Sequence, residues 1–264
     1  MSDELIEELT DGLLVLTMNR PERRNALSPG LIEGLRNACA RAAQDPEVRA
    51  VLLTGAGGHF CVGGDVKAMN EGQGRHLSVG ERVQNLRDRM SASQYLHEMS
   101  KPTIAAIEGS CAGAGLSLAL ACDLRICAED AKLTTAFAKV GLSGDFGGTY
   151  FLTCLLGGAR ARELYLTSPV LTGKEAADIG LVTRVLPAGE TQAAARDLAA
   201  SLAAGPTLTL GRIKDNIAEA ENGGSLTQCF DREARNHTLS ATTADHKEAA
   251  AAFVEKRAPV FTGT

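Results

Sequence analysis

Two glycine clusters carry the chemistry this chain can do without side chains: GAGGHFCVGGD at residues 55–65 and GSCAGAG at 109–115. Each follows a β-type run and reads as a tight turn opening a helix, HFCVGGDVKAM in the first case and CAGAGLSLALAC in the second. Backbone N–H groups at a helix start have no intrahelical acceptor, and the helix dipole favours negative charge there. Two such turns face to face would offer two N–H donors to one oxygen, the layout of an oxyanion hole. Either cluster alone is equally a plain turn. A dinucleotide fingerprint fails, because Gly113 and Gly115 give G-x-G but Leu118 stands where the third glycine belongs. There is no GK[ST], which excludes a P-loop. Cys61 beside His59 suggests a thiol nucleophile, although a buried packing thiol fits the same pattern.

The elements that must position these turns alternate between strand and helix. Leu13–Met18 is a β-rich run, and Ser28 with Pro29 starts a helix whose Leu31, Leu35, Ala38, Cys39 and Ala42 form an apolar stripe. Val48–Thr54 and Pro102–Ile107 are strands that run straight into the glycine clusters, and Leu124–Cys127 is a fourth. This alternation predicts an α/β layer architecture. Past Gly147 the pattern is Ala-rich helix, broken by Val182–Leu186 and by Pro206; residues 190–204 and 244–256 are long helices, the second capped by Thr243. We divide the chain into a core, residues 1–195, and a helical C-terminal region, 196–264.

Composition narrows the partners. There are 27 Lys plus Arg against 32 Asp plus Glu, a net charge of -5, and no basic face for nucleic acid is expected. Seven Phe, three Tyr and no Trp make a poor base-stacking surface. The seven cysteines are odd in number and form no CxxC pair, and the five histidines lack metal spacing, so reduced thiols and no metal are expected. No apolar run reaches the roughly 18 residues of a membrane span. The acidic start MSDELIEELTDG is neither signal nor transit peptide, and VFTGT is no peroxisomal address. A cytoplasmic protein is expected.

TGAGGHFCVGGDVKAM, KPTIAAIEGSCAGAGLSLALACDLRICAE and LTGKEAADIGLVTRVLP, flanked by NRPERRNALS and FVEKR, resemble the enoyl-CoA hydratase/isomerase (crotonase) superfamily over roughly residues 10–258. The resemblance implies a spiral of β-β-α turns with a helical C-terminal extension that trimerises, giving homotrimers or dimers of trimers. It implies acyl-CoA thioesters as substrates, with coenzyme A entering as part of the substrate and no other cofactor. Carried over by position, Gly64 and Ala114 supply the oxyanion-hole N–H groups, with alanine where the family usually has glycine. Arg24 and Ala26 match the segment meeting the CoA phosphates and adenine. Val62, Asp65 and Val66 match the turn around adenine and pantetheine, and Lys256 a lysine reaching the nucleotide, often from a neighbouring subunit. Asp65 is also a candidate helix cap.

A hydratase of this superfamily needs two glutamates, and those places here are Ser117 and Phe137. Neither can act as a general acid or base near neutrality. One carboxylate lies close in sequence, Asp145 in VGLSGDFGG, where the superfamily's double-bond isomerases carry an acid. It could take a proton from C4 and return it to C2 while the enolate sits in the hole. That task needs a raised pKa, which an apolar pocket with Phe137 would supply by desolvation. Capping the next helix, Gly147–Leu156, is the other role open to Asp145. Naphthoyl-CoA synthases and aryl-CoA dehalogenases also place aspartate here. The absence of Trp, and Met90 where the dehalogenases have histidine, disfavour dehalogenation. The expectation is an enoyl-CoA double-bond isomerase; the alternatives are an enoyl-CoA hydratase using Asp145 with a second group, and a catalytically silent acyl-CoA-binding subunit.

Overall fold

Parallel strands buried on both faces read as continuous apolar runs rather than alternating ones, and this explains why the central strands are so plain in the sequence. In the computed structural model, which describes residues 4–65 and 77–264, a six-stranded sheet runs in the order β1-β2-β3-β4-β6-β9. Its strands are β1 (Leu5–Thr10), β2 (Leu13–Met18), β3 (Ala50–Gly55), β4 (Thr103–Ile107), β6 (Leu124–Ala128) and β9 (Arg184–Leu186). Only β1 is antiparallel to its neighbour, pairing Leu5 with Met18; every other contact in this sheet is parallel. A smaller sheet joins β5 (Ser110–Ala112), β7 (Lys132–Thr134) and β8 (Leu171–Thr172).

The helices are α1 (Pro29–Gln44), α2 (Val79–Arg89), α3 (Ser91–Glu98), α4 (Ala114–Ala121), α5 (Gly148–Thr167), α6 (Gly173–Asp178), α7 (Thr191–Ala203), α8 (Thr207–Glu221), α9 (Leu226–Ala241) and α10 (Ala244–Glu255). The units β4-β5-α4 and β6-β7-α5 each place the first strand in the large sheet and the second in the small one. This is the spiral of two strands and a helix that the sequence resemblance implied. Leu14, Leu16, Val51 and Leu53 lie in the main core with Leu31 and Leu35 of α1, while Leu13, Val15, Ala50 and Leu52 pack with Ala195, Ala199 and Ala203 of α7. Alanines at spacing four form a smooth stripe along which α7 sits close on the sheet. The expected boundary at residue 195 falls within α7, a helix packed on the large sheet.

The caps read from the sequence are present. Ser28 Oγ accepts the N–H of Leu31, and Thr243 Oγ1 accepts that of His246. The helix expected at Gly147–Leu156 runs on to Thr167 as α5, bent where Gly157 leaves helical geometry at φ 74° and ψ 159°. The helix expected after the first glycine cluster, and the candidate residue Val66, lie outside the described residues. Among the described residues no helix is long and apolar enough to cross a membrane.

Candidate active site

The two glycine turns meet as the spiral requires. Cys61 N–H donates to Ser110 O (3.1 Å), and Ala112 N–H donates back to Cys61 O (2.9 Å), so the chain after β3 runs alongside β5. Gly63 has φ +83°, and a Cβ there would stand 2.8 Å from Ala112 O and 3.1 Å from Ala114 N. Glycine is needed for both the backbone angle and this close approach. The turn is held from behind by Leu27 N–H donating to Gly63 O (2.8 Å), and by the bridge pairing Leu27 with Gly64. Gly113 is the N-cap of α4 and Ala114 its first residue. Among the described residues the N–H groups of Gly64 and Ala114 have no acceptor. An anionic oxygen placed between them would be held by two N–H donors and by the positive end of α4.

Ser117 and Phe137 lie close to Gly113, and Ser117 also approaches the loop that carries Asp145. Ser117 is 1% exposed, its Oγ 3.3 Å from Gly113 O, and Phe137 is 6% exposed, its ring 3.9 Å from where a Cβ on Gly113 would lie. Neither ionises. Asp145 lies on a loop whose neighbours Gly144, Phe146 and Gly147 all have positive φ. Its carboxyl does not cap α5: the N-cap is Gly147, with no side-chain hydrogen bond. Asp145 Oδ1 is buried with no hydrogen-bond partner, and burial pushes the carboxyl up to about 6. Withdrawal from water disfavours the charged form and is the cause of that rise.

The segment matched to the nucleotide end gathers on the other side of the first turn. Val62 N–H donates to Arg24 O (3.2 Å), Ala26 is buried, and Arg24 is exposed in the left-handed region at φ 49°. The Asp65 carboxylate lies 3.6 Å from the Arg20 guanidinium, which also pairs with Glu4 at 2.9 Å. Two residues of the candidate site were missed in the sequence. Asn25, fully buried, donates to Ala56 O (2.9 Å) and His59 O (2.7 Å) and accepts Arg20 N–H (2.9 Å), tying this segment to the first glycine cluster. The signal available was its type, since asparagine tolerates the left-handed conformation it adopts at φ 58°. The second is Tyr165, which stacks parallel on Phe137 with ring centroids 5.9 Å apart. Lys256, exposed, ends α10 in the left-handed region at φ 56°.

The thiol beside the hole is inert. Cys61 is fully buried, its sulfur receives the Gly63 N–H at 3.4 Å, and burial pushes its thiol up to about 12. His59 Nδ1 is occupied by the Ser110 N–H (3.1 Å), so the two do not form a nucleophile and base. Alkylation of the native protein by iodoacetamide should label exposed Cys154 and spare Cys61. Peptide mass mapping reads the outcome, and prompt loss of activity on labelling of Cys61 would contradict it.

Comparison with known proteins agrees with this architecture. The enoyl-CoA hydratase/isomerase family pattern matches residues 8–264. The chain is 36% identical to a 1,2-epoxyphenylacetyl-CoA isomerase of Escherichia coli, with all of both chains covered. It is 32% identical to a 4-chlorobenzoyl coenzyme A dehalogenase of an Arthrobacter species, over 94% of this chain and 90% of that one. The crystal structure of an enoyl-CoA hydratase from a Polaromonas species superposes with a TM-score of 0.90 at 33% identity, covering 97% and 99% of the two chains. The chain belongs to the enoyl-CoA hydratase/isomerase family. It is an enzyme of that family, built on the crotonase fold.

Proposed function

We propose that this enzyme moves a carbon–carbon double bond along an acyl-CoA thioester, with Asp145 as the single proton carrier. The observation that carries the reading is the Asp145 carboxyl, raised to about 6 by burial and with an unpartnered oxygen, on the loop whose Gly148 approaches Ser117 of α4, the helix that Ala114 opens. The thioester oxygen sits between Gly64 and Ala114 N–H. From a 3-enoyl thioester, Asp145 takes a C2 proton. The C2–H electron pair becomes the C1=C2 bond of a dienolate, and the charge falls on the held oxygen. Collapse of the dienolate forms C2=C3, and C4 takes the proton back from Asp145. The reverse direction moves the proton from C4 to C2. The isomerase activity in the name of the E. coli relative supports the same class of chemistry.

Arg24, Ala26, Val62, Asp65, Val66 and Lys256 are proposed to hold the coenzyme A portion, and Phe137 to flank the acyl chain. No cofactor beyond that coenzyme A enters the scheme. Leu208, Ile213, Ile217, Phe230 and Phe253, exposed on α8–α10, support the helical region 196–264 as the face that packs copies into a trimer, a cytoplasmic one in our reading. Lys256 would then serve a neighbouring copy's site.

Mass spectrometry of the product from a trans-3-enoyl-CoA tests the reaction: a rearranged product of unchanged mass is expected. A product heavier by one water would mean hydration, and no reaction across a panel of chain lengths would mean a silent binder. The base must be ionised to accept the first proton. The rate should therefore rise with pH through about 6 and level off above it. A profile flat from pH 5 to 8 would remove Asp145 from the role.

A further inference from the structure

Tyr165 touches Phe137, Ser117 and the glycines on either side of Asp145, and nothing in the reaction scheme uses it. It lies on α5 beyond the bend at Gly157, 20 positions after Asp145, and its ring stacks on Phe137. A Cβ on Gly144 would stand 2.9 Å from its Cε1. A Cβ on Gly148 would stand 2.5 Å from its hydroxyl and 2.4 Å from Ser117 Oγ. The glycines on either side of Asp145 therefore leave the room that this one tyrosine fills.

We propose that Tyr165 is a positioning residue of this site: its ring closes the Asp145 loop off from bulk water, with its hydroxyl docked beside Ser117, so that the carboxyl faces substrate rather than solvent. This rests on Asp145 being the proton carrier. The unpartnered Asp145 Oδ1 is the independent mark of a dry pocket. Tyr165 itself is pushed up to about 12, chiefly by its own burial; the Ser117 hydroxyl opposes that rise and the charge of Asp145 adds to it. At such a value the phenol stays protonated and neutral throughout the working range, so it shields without competing for the proton.

Few other titratable groups surround the carboxyl. The short helix Phe137–Val140 carries Lys139, which is exposed, and α4 carries none. Besides Tyr165, α5 carries Tyr150, Cys154, Arg160, Arg162 and Glu163, all exposed. Burial is the cause of the Asp145 shift. Removing the wall should therefore move it, and removing the hydroxyl alone should not.

The test is a titration of the Asp145 side chain by carbon-13 carboxyl NMR on the whole protein, its signal identified by loss in Asp145→Asn. The wild type should titrate near 6, and Tyr165→Phe within about half a unit of it. Tyr165→Val should fall toward the ordinary ~4, a roughly hundredfold change in proton affinity. The acid limb of the rate profile should move by the same amount. An unchanged midpoint in Tyr165→Val, or an equal fall in Tyr165→Phe, would overturn the proposal. The wild type alone puts it at risk if Tyr165→Val fails to fold, because a midpoint near 4 leaves nothing for Tyr165 to shield. The titration needs no turnover. Failure of Asp145 as proton carrier shows separately, as isomerisation surviving in Asp145→Asn.

Discussion

Asp145→Asn should lower isomerisation of a trans-3-enoyl-CoA by about 10²–10⁴-fold, the range general acid–base groups supply, while the dissociation constant of a saturated acyl-CoA stays within about twofold. The amide keeps the shape of the side chain and loses the ionisable oxygen that accepts and returns the proton. The affinity should hold because the thioester oxygen and the nucleotide end are held by other residues. The same substitution should affect stability in the opposite direction. The folded carboxyl binds its proton more tightly than the ordinary ~4 of an unfolded aspartate. Its contribution to stability is therefore complete below ~4 and is lost as pH rises through about 6. At pH 8 the wild type carries a desolvated charge that the variant lacks, so Asp145→Asn should melt higher by an amount worth about 1–2 kcal/mol, with the gap closing at pH 4. Thermal denaturation at the two pH values checks this, and a variant that is both active and no more stable would count against the site as described.

Ala114→Pro is the second large effect. It is the rare substitution that removes a single backbone donor. Ala114 is the first residue of α4, where proline's fixed φ is suited to the helix and its missing N–H breaks no intrahelical bond. Losing one donor from such a hole typically costs about 3 kcal/mol of transition-state stabilisation, so the rate constant should fall about 10²–10³-fold. Far-ultraviolet circular dichroism should be unchanged, because the helix is capped by Gly113 and buried throughout. A rate within a few-fold of the wild type would mean that the thioester oxygen is held elsewhere.

The central sheet was legible because β2, β3 and β4 are buried on both faces and so spell their own boundaries. The glycine turns were legible for the same reason, each lying at the end of such a strand. β1 was not. LIEELT carries two carboxylates and exposes all but Leu5, and it is a strand only because β2 offers it an edge. β5, β7 and β8 have two or three residues each, too few to show a period. The helices α2 and α9 did leave a signal: Ser78 with Glu81, and Ser225 with Gln228, are capping boxes readable as S-x-x-E and S-x-x-Q. Within the site, Gly64, Ala114 and Asp145 could be named from motif order. Tyr165 could not, since its place against the Asp145 loop arises only after about two turns of helix on each side of the bend at Gly157 have brought it back.

The hole proposed at Gly64 and Ala114 has a consequence for how such a protein can change over time. Its donors are main-chain atoms, so a substitution that keeps the backbone path leaves them in place, as alanine at position 114 illustrates. In the proposed scheme the proton-handling half is the reverse: it depends on the side chains at 117, 137 and 145, which a single codon change can exchange. A lineage can therefore try new reactions on the same bound thioester without first losing its grip on it.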